Sequence, residues 1–340
     1  MPKSLDIPDY LLQNPGLAIP LIDVRSPGEF SKGHIPGAIN IPLFTNEERA
    51  IVGTTYKQKG RKEAILTGLE LIGPQISKLA SRALEIIPEK RVFVHCWRGG
   101  MRSGAFAQLL ETFGIEVYTL KGGYKSYRKW ALEQCSKSLS IKVLGGFTGS
   151  GKTQILHHLS DMGIQILDLE KRARHLGSVF GTLGTMEQPS QEQFENDLAY
   201  DISLLDPGKT VWLEDESRTL GKIGIPGGLW EQMRTTLLYK LEIPAERRKN
   251  HIREDYQDIS PEFVESCIHK ISARLGGLET KNALEALGRG DKEKIIDIML
   301  QYYDRTYSGG QKKREAEKIM ELEFREESFL EIAKKLSQIE

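Results

Sequence analysis

The chain has 340 residues, enough for two domains, with 39% hydrophobic and 28% charged residues, the composition of an ordinary globular protein. Lys plus Arg and Asp plus Glu both number 47, so a nucleic-acid partner would have to meet a local basic surface. The sequence has no apolar run long enough to span a membrane, no signal-peptide core at its start and only three cysteines. We therefore expect a cytoplasmic protein without membrane attachment or a disulfide framework.

Residues 1–135 alternate short apolar runs with helical patterns. The runs Ala18–Arg25 and Arg91–Cys96 are typical of buried parallel strands, and Leu66–Ile87 and Ser103–Gly114 have helical periodicity. Alternation of this kind predicts an α/β domain.

A cysteine follows the second of these strands and opens a glycine-rich loop. The loop reads Cys-Trp-Arg-Gly-Gly-Met-Arg-Ser from Cys96, with a predicted helix starting at Ser103. Backbone N–H groups, a helix N-terminus and the charges of Arg98 and Arg102 would all favour the thiolate, and the same loop would bind a tetrahedral oxyanion. Two enzyme classes use this arrangement, the Cys-dependent phosphatases and the rhodanese-type chalcogen transferases.

The second α/β unit, residues 139–228, contains a complete phosphate-binding loop between an apolar strand and a helix. Its backbone N–H groups would surround an anion, its lysine would neutralise terminal phosphates and its threonine hydroxyl would ligate Mg²⁺. The predicted phosphate- or diphosphate-binding residues are Gly146, Gly149, Ser150, Gly151, Lys152 and Thr153.

Acidic residues end a later apolar strand of this unit. Glu214 and Asp215 are candidate Mg²⁺ ligands together with Thr153, and Arg218 is placed to reach a phosphate. Nothing has the spacing of zinc ligands, so we predict no structural metal.

From Leu229 to the end of the chain, residues 229–340, the pattern is helical and predicts a C-terminal extension. Local clusters of Lys and Arg in a chain of zero net charge permit an RNA-binding face. The residues chosen for it are Arg247, Arg248, Lys249 and Arg253. His95, Cys135 and Cys267 are interpreted as structural residues.

The stretch Leu21–Pro42 resembles the N-terminal signature of the rhodanese family, with Asp23, Arg25 and the run Gly-His-Ile-Pro-Gly-Ala. This resemblance favours the chalcogen transferase, and we find no general-acid loop of the kind most Cys-dependent phosphatases need. The Cys96 loop is one residue longer than the usual rhodanese loop, so phosphatase-like chemistry on a phosphate-bearing donor stays open.

The chain as a whole resembles the bacterial tRNA 2-selenouridine synthases. The similar segments are spread over the whole sequence: Asn46–Pro74, His95–Gly104, Lys121–Arg128, Gly146–Thr153, Trp212–Pro226, Arg274–Gly277 and Tyr302–Tyr307. The resemblance implies conversion of the wobble 2-thiouridine of tRNA, at position 34, to 2-selenouridine with selenophosphate. It further implies S-geranylation from geranyl diphosphate, tRNA as partner and an enzyme producing selenophosphate as supplier.

The expected architecture is α/β: a rhodanese-like α/β domain followed by a P-loop NTPase-like α/β domain with a helical C-terminal extension. Two other functions remain as alternatives. One is a nucleotide-dependent kinase or ATPase carrying a rhodanese or Cys-phosphatase-like domain, and the other is a non-enzymatic tRNA-binding protein. Intact Cys96 and Lys152 favour an enzyme.

Overall fold

A computed structural model describes residues 2–175, 187–255, 260–311 and 314–339. The chain divides into two compact units. The first consists of Met1–Gln134 and Glu192–Tyr200, and the second of Cys135–Gln191 and Asp201–Glu340.

The first unit is built on a five-stranded parallel sheet in the order β1-β5-β4-β2-β3. Its central strands are apolar and buried, as expected for parallel strands that are covered on both faces. The strands are β1 Lys3–Leu5, β2 Leu21–Asp23, β3 Ala38–Asn40, β4 Arg91–His95 and β5 Glu116–Leu120. The helices are α1 Ile7–Gln13, α2 Pro27–Lys32, α3 Asn46–Lys59, α4 Arg61–Ile72, α5 Ile76–Glu85, α6 Met101–Glu111 and α7 Gly123–Gln134.

The second unit contains another parallel sheet of five strands, in the order β12-β11-β6-β8-β7. A short antiparallel pair, β9 with β10, lies outside it. The strands are β6 Ile141–Gly146, β7 Gln165–Leu167, β8 Val211–Glu214, β9 Thr219–Leu220, β10 Ile223–Gly224, β11 Leu238–Glu242 and β12 Ile319–Glu323. The helices are α8 Lys152–Asp161, α9 Leu169–Ala173, α11 Gly227–Thr235, α12 Ala245–Asp255, α13 Pro261–Leu275, α14 Gly277–Gly288, α15 Lys292–Gln311 and α16 Phe329–Ser337. Helix α10, Gln191–Leu204, has residues in both units.

The region after Leu229 differs from the expected all-helical extension because it supplies two strands of the second sheet. Strand β11 pairs with β6, the strand that leads into the phosphate-binding loop, and β12 pairs with β11. Both strands are only five residues long, and periodicity does not separate so short an apolar run from a turn of helix. The chain after Leu229 therefore completes the second α/β unit.

Helix α10 also departs from the expected domain boundaries. Its residues 192–200 belong to the first unit, although they follow the phosphate-binding loop in sequence. The Tyr124 hydroxyl donates to Glu192 at 2.8 Å, and Arg128 donates to the Asn196 side-chain oxygen at 2.6 Å. These polar contacts between distant parts of the sequence leave no local pattern by which the boundary could be predicted.

Helices α13, α14 and α15 share a separate hydrophobic core in the second unit. Cys267 is fully buried in that core, and Cys135 is buried as well, in agreement with structural roles for both thiols. Across the part of the chain that the structure describes, no helix has both the length and the apolar character needed to cross a bilayer.

Candidate active site

The Cys96 loop links the end of β4 to the start of α6. The thiol is 3% exposed, and its Sγ atom lies 3.3 Å from the Ser103 hydroxyl oxygen and accepts from the Gly100 N–H at 3.4 Å. The loop thus surrounds the sulfur with donors from the first turns of the following helix.

These donors determine the ionisation of the thiol. Burial by itself would raise the pKa of Cys96, but the hydrogen bonds of Ser103, the charge of Arg102 and the Gly100 N–H hold that pKa below its ordinary value. A lowered pKa increases the fraction of thiolate, the nucleophilic form, at neutral pH.

The two arginines of the loop have different environments. Arg102 donates to the Glu29 carboxylate at 3.1 Å, so its charge is partly balanced, while Arg98 is exposed to solvent. Direct roles for Arg98 and Arg102 in catalysis stay predictions.

Tight backbone packing fixes the shape of the loop. Gly99 has a φ of +62°, and a Cβ there would lie 2.3 Å from the Leu120 carbonyl oxygen. Gly123, at a φ of +57°, is packed equally closely, since its Cβ would lie 2.2 Å from the Cys96 carbonyl oxygen. Only glycine combines this backbone conformation with such close approach, which explains why both positions are occupied by glycine.

Beneath the loop lies a buried polar group around Asp23. Arg25 donates to Asp23 and to the Gly33 carbonyl oxygen, and its guanidinium stacks 3.7 Å from the centre of the Tyr124 ring. His95 Nε2 lies 3.6 Å from Asp23 Oδ2, and burial lowers the pKa of His95. This environment supports the interpretation of His95 as a structural residue.

The phosphate-binding loop connects β6 to α8. Gly149 and Gly151 have φ values of +81° and +76°, and a Cβ on Gly151 would lie 2.3 Å from a ring carbon of Phe329. The N–H of Gly146 donates to the Tyr307 hydroxyl at 2.9 Å, so α15 helps to hold the start of the loop. The Ser150 side chain is buried in the loop.

The two motif residues that would contact phosphate and metal lie at the start of α8. Lys152 Nζ donates to the Gly146 carbonyl oxygen at 3.2 Å, which folds the ammonium group back over the loop. The Thr153 hydroxyl donates to Glu170 Oε2 at 3.4 Å.

Three carboxylates meet beside Thr153. Oxygen atoms of Glu170, Glu214 and Glu216 all lie within 4.8 Å of one another. Burial and then the neighbouring carboxylates raise the pKa of Glu170 to about 10, and burial and then Glu214 raise that of Glu216 to about 8. Burial likewise raises the pKa of Glu214. Crowded hard oxygen donors of this kind fit a divalent cation such as Mg²⁺.

Glu170 was missed by the sequence analysis, although a signal exists. It follows the short strand β7, which pairs with β8, so the acids after both strands reach the same edge of the sheet. An acidic residue two or three positions beyond a parallel strand is therefore a candidate ligand in its own right.

Asp215 differs from its expected role as a Mg²⁺ ligand. Its carboxylate accepts from Arg314 at 3.0 Å and from the Tyr307 hydroxyl at 3.3 Å, and it lies 3.6 Å from Arg234. Successive residues of an extended chain point to opposite sides, so Asp215 cannot share the side of Glu214 and Glu216. The structure gives it a buried ion pair instead of a place in the carboxylate cluster.

Arg218 contacts residues that are close to it in sequence. Its guanidinium donates to the Ile225 carbonyl oxygen and lies 5.8 Å from the centre of the Trp230 ring. Contact between Arg218 and a phosphate stays a prediction.

The four residues chosen for RNA binding all have partners within the protein. Arg247 donates to the Glu327 carbonyl oxygen, Lys249 pairs with Asp297 at 2.6 Å and Arg253 pairs with Glu293 at 2.6 Å. Arg248 is only 6% exposed and holds both Asp304 and the Thr148 carbonyl oxygen of the phosphate-binding loop. For Arg248 the expectation is corrected, because a buried, paired side chain supports the loop rather than offering charge to RNA.

Comparison with known proteins agrees with this two-part arrangement. The family profile for the tRNA 2-selenouridine synthase AAA domain matches residues 139–337, and that for the rhodanese-like domain matches residues 8–129. The tRNA 2-selenouridine synthase of Sulfurovum sp. strain NBC37-1 is 35% identical, covering 90% of this chain and 92% of the relative. That of Hydrogenovibrio crunogenus is 33% identical, covering 93% and 94%, and that of Proteus mirabilis is 41% identical, covering 73% and 68%. The chain therefore belongs to the tRNA 2-selenouridine synthases, an enzyme family that joins a rhodanese-like domain to a P-loop domain.

Proposed function

We propose that this protein is a tRNA-modifying transferase that converts 2-thiouridine at wobble position 34 to 2-selenouridine, with selenophosphate as the selenium donor. The observation that carries this proposal is the presence in one chain of a loop thiol with a lowered pKa and a phosphate-binding loop beside a carboxylate cluster. The proposed reaction uses two phosphate-bearing substrates, geranyl diphosphate and selenophosphate, and each would occupy one of the two loops.

The first step is S-geranylation from geranyl diphosphate at the phosphate-binding loop. The thiouridine sulfur attacks the allylic carbon, the carbon–oxygen bond breaks, diphosphate leaves and the N3 proton of the base is lost. Lys152 and the loop N–H groups would neutralise the charge that develops on the departing diphosphate. When bound, Mg²⁺ would be held by Thr153 and Glu214 and would add to that neutralisation.

The second step is replacement of the alkylated sulfur. Selenium attacks C2 of the base, geranyl thiolate leaves and hydrolysis of the selenium–phosphorus bond releases phosphate. The geranylated sulfur is a better leaving group than the sulfur of the unmodified thiocarbonyl. We assign this step to the Cys96 loop, which suits a tetrahedral anion and holds a readily ionised thiol. An enzyme that produces selenophosphate would supply the donor.

Nucleoside mass spectrometry tests the proposal directly. Purified protein is incubated with 2-thiouridine-containing tRNA, geranyl diphosphate and selenophosphate, each omitted in turn. We expect 2-selenouridine only in the complete mixture and S-geranyl-2-thiouridine when selenophosphate is omitted. ATP turnover without RNA, and no change in the tRNA, would favour the kinase or ATPase alternative. Tight tRNA binding with no modified nucleoside would favour the binding protein.

A further inference from the structure

A cavity of about 190 Å³ opens in the helical core of the second unit, outside both candidate sites. It is lined where the end of α13 and the start of α14 face α15. Two of the segments that resemble the family, Arg274–Gly277 and Tyr302–Tyr307, contribute residues to it. The residues that matter for its chemistry are Arg274, Leu275, Glu279, Ile298, Gln301 and Arg305.

The two arginines of the cavity are available to a ligand. Arg274 and Arg305 are exposed, and within the described ranges no carboxylate or carbonyl oxygen accepts from either guanidinium. They differ in this from Arg248 and Arg253, whose charges are already balanced by Asp304 and Glu293. Two guanidinium groups against the single carboxylate of Glu279 leave the lining positive.

Helix α15 connects this cavity with the phosphate-binding loop. Next to Arg305, Asp304 accepts two hydrogen bonds from Arg248, which itself donates to the Thr148 carbonyl oxygen of the loop. Two residues further, the Tyr307 hydroxyl accepts from the Gly146 N–H. A ligand in the cavity would therefore contact the same helix that supports the phosphate-binding loop.

We propose that this cavity binds one nucleotide of the substrate tRNA. Arg274 and Arg305 hold its phosphate, for which the planar guanidinium fork is well suited. Glu279 and Gln301 accept from the ribose 2′-hydroxyl or a base N–H, and Leu275 and Ile298 provide the apolar floor for the base. A bare phosphate would not need the carboxylate or the apolar floor. This inference rests on the proposed function, since it takes tRNA as the substrate.

Equilibrium binding of 2-thiouridine-containing tRNA across a salt series tests the cavity. Arg274→Gln and Arg305→Gln should each weaken binding about tenfold at low salt. Each should also make the slope of log affinity against log salt shallower by about 0.7 to 0.9, the value for one lost phosphate contact. Arg289→Gln is the matched control, because this exposed arginine follows α14 without lining the cavity and should change neither quantity.

The outcomes separate this proposal from the proposed function. Unchanged affinity and salt slope in both glutamine variants, with a wild type that binds and modifies tRNA, would overturn the cavity proposal alone. A wild type that does not bind tRNA would overturn the proposed function. Arg305→Lys should restore the salt slope, and thermal unfolding shows whether each variant is folded. Thermal stabilisation by AMP that Arg305→Gln abolishes, with tRNA binding unaffected, would assign the cavity to a free nucleotide and overturn the proposal.

Discussion

The hydroxyl of Ser103 is expected to hold the Cys96 thiol in its reactive state, so Ser103→Ala should raise the pKa of that thiol. The Ser103 oxygen lies 3.3 Å from Sγ and 3.1 Å from the Gly100 carbonyl oxygen. Its single proton can serve either acceptor, and a charged thiolate is the stronger one. The alanine variant removes only the side-chain hydrogen bond, and the buried sulfur keeps the backbone N–H of residue 103, the charge of Arg102 and the Gly100 N–H.

The size of the effect follows from the loss of one hydrogen bond to a charged group. Such a bond contributes about 1.5 kcal/mol or more, and 1.36 kcal/mol corresponds to one pKa unit. The pKa of Cys96 should therefore rise by about one unit. Because the thiolate exists above this pKa, its fraction at a fixed pH well below the original pKa falls about tenfold, and the loss shrinks as the pH rises and disappears above the new pKa.

Thiolate absorbance near 240 nm, followed against pH, measures this shift. The titration is done in a protein whose other two cysteines, Cys135 and Cys267, are replaced by serine, so that one thiol is observed. Ser103→Thr keeps the hydroxyl and is the matched control. A pKa for Cys96 that is the same in the Ser103→Ala and Ser103→Thr proteins would refute the role given to this hydrogen bond.

Three further substitutions test the second unit. Gly151→Ala places a Cβ 2.3 Å from a ring carbon of Phe329 and should lower the free energy of unfolding by more than about 2 kcal/mol. Gly163→Ala is the control, because Gly163 has a similar positive φ but lies in open space, and it should lower that free energy by about 1 kcal/mol. Equal losses for the two variants in urea denaturation would contradict the close packing at Gly151. Because burial and then Glu214 raise the pKa of Glu216 from 4.5 to about 8, the folded state retains a proton that the unfolded state has lost, so stability should fall as pH rises through this window. Glu216→Gln should flatten that part of the melting-temperature profile without Mg²⁺, and identical profiles would contradict the shift. Arg248→Ala should cost about 2 kcal/mol of stability by leaving its carboxylate partner unpaired, with no change in the salt dependence of tRNA binding; the opposite pattern would restore its role in RNA contact.

The motif residues were predictable because their chemistry is encoded locally. A strand, a glycine-rich turn and a helix follow one another within Ile141–Asp161, so the position of Lys152 required only the order of these elements. The same holds for Cys96, which stands between a buried strand and a helix. Such patterns also predicted the α/β class of both units.

The rest depends on contacts between segments far apart in sequence. Its position after a short strand makes Glu170 a candidate ligand, but it meets Glu214 because β7 pairs with β8, and the sequence of neither strand states that pairing. Asp215 was expected to bind the metal because it is one of the acids that end an apolar strand, but its partner Arg314 lies 99 residues away in sequence. Arg248 lies in a run of basic residues that predicted an RNA-binding surface, but its side chain pairs with Asp304, which is far away in sequence. Local sequence shows which charges exist, whereas the tertiary fold decides which of them are already balanced.

The most direct test of the central claim is nucleoside analysis of two variants on two substrates. On 2-thiouridine tRNA with geranyl diphosphate, Lys152→Ala should geranylate at least about a hundredfold more slowly, because a charge on the leaving diphosphate is lost. On tRNA that is already geranylated, the same variant should still form 2-selenouridine. Cys96→Ala should do the reverse, geranylating normally and then stopping at the geranylated nucleoside. Geranylation at the wild-type rate by Lys152→Ala, or full selenation by Cys96→Ala, would contradict the assignment of the two steps to the two loops.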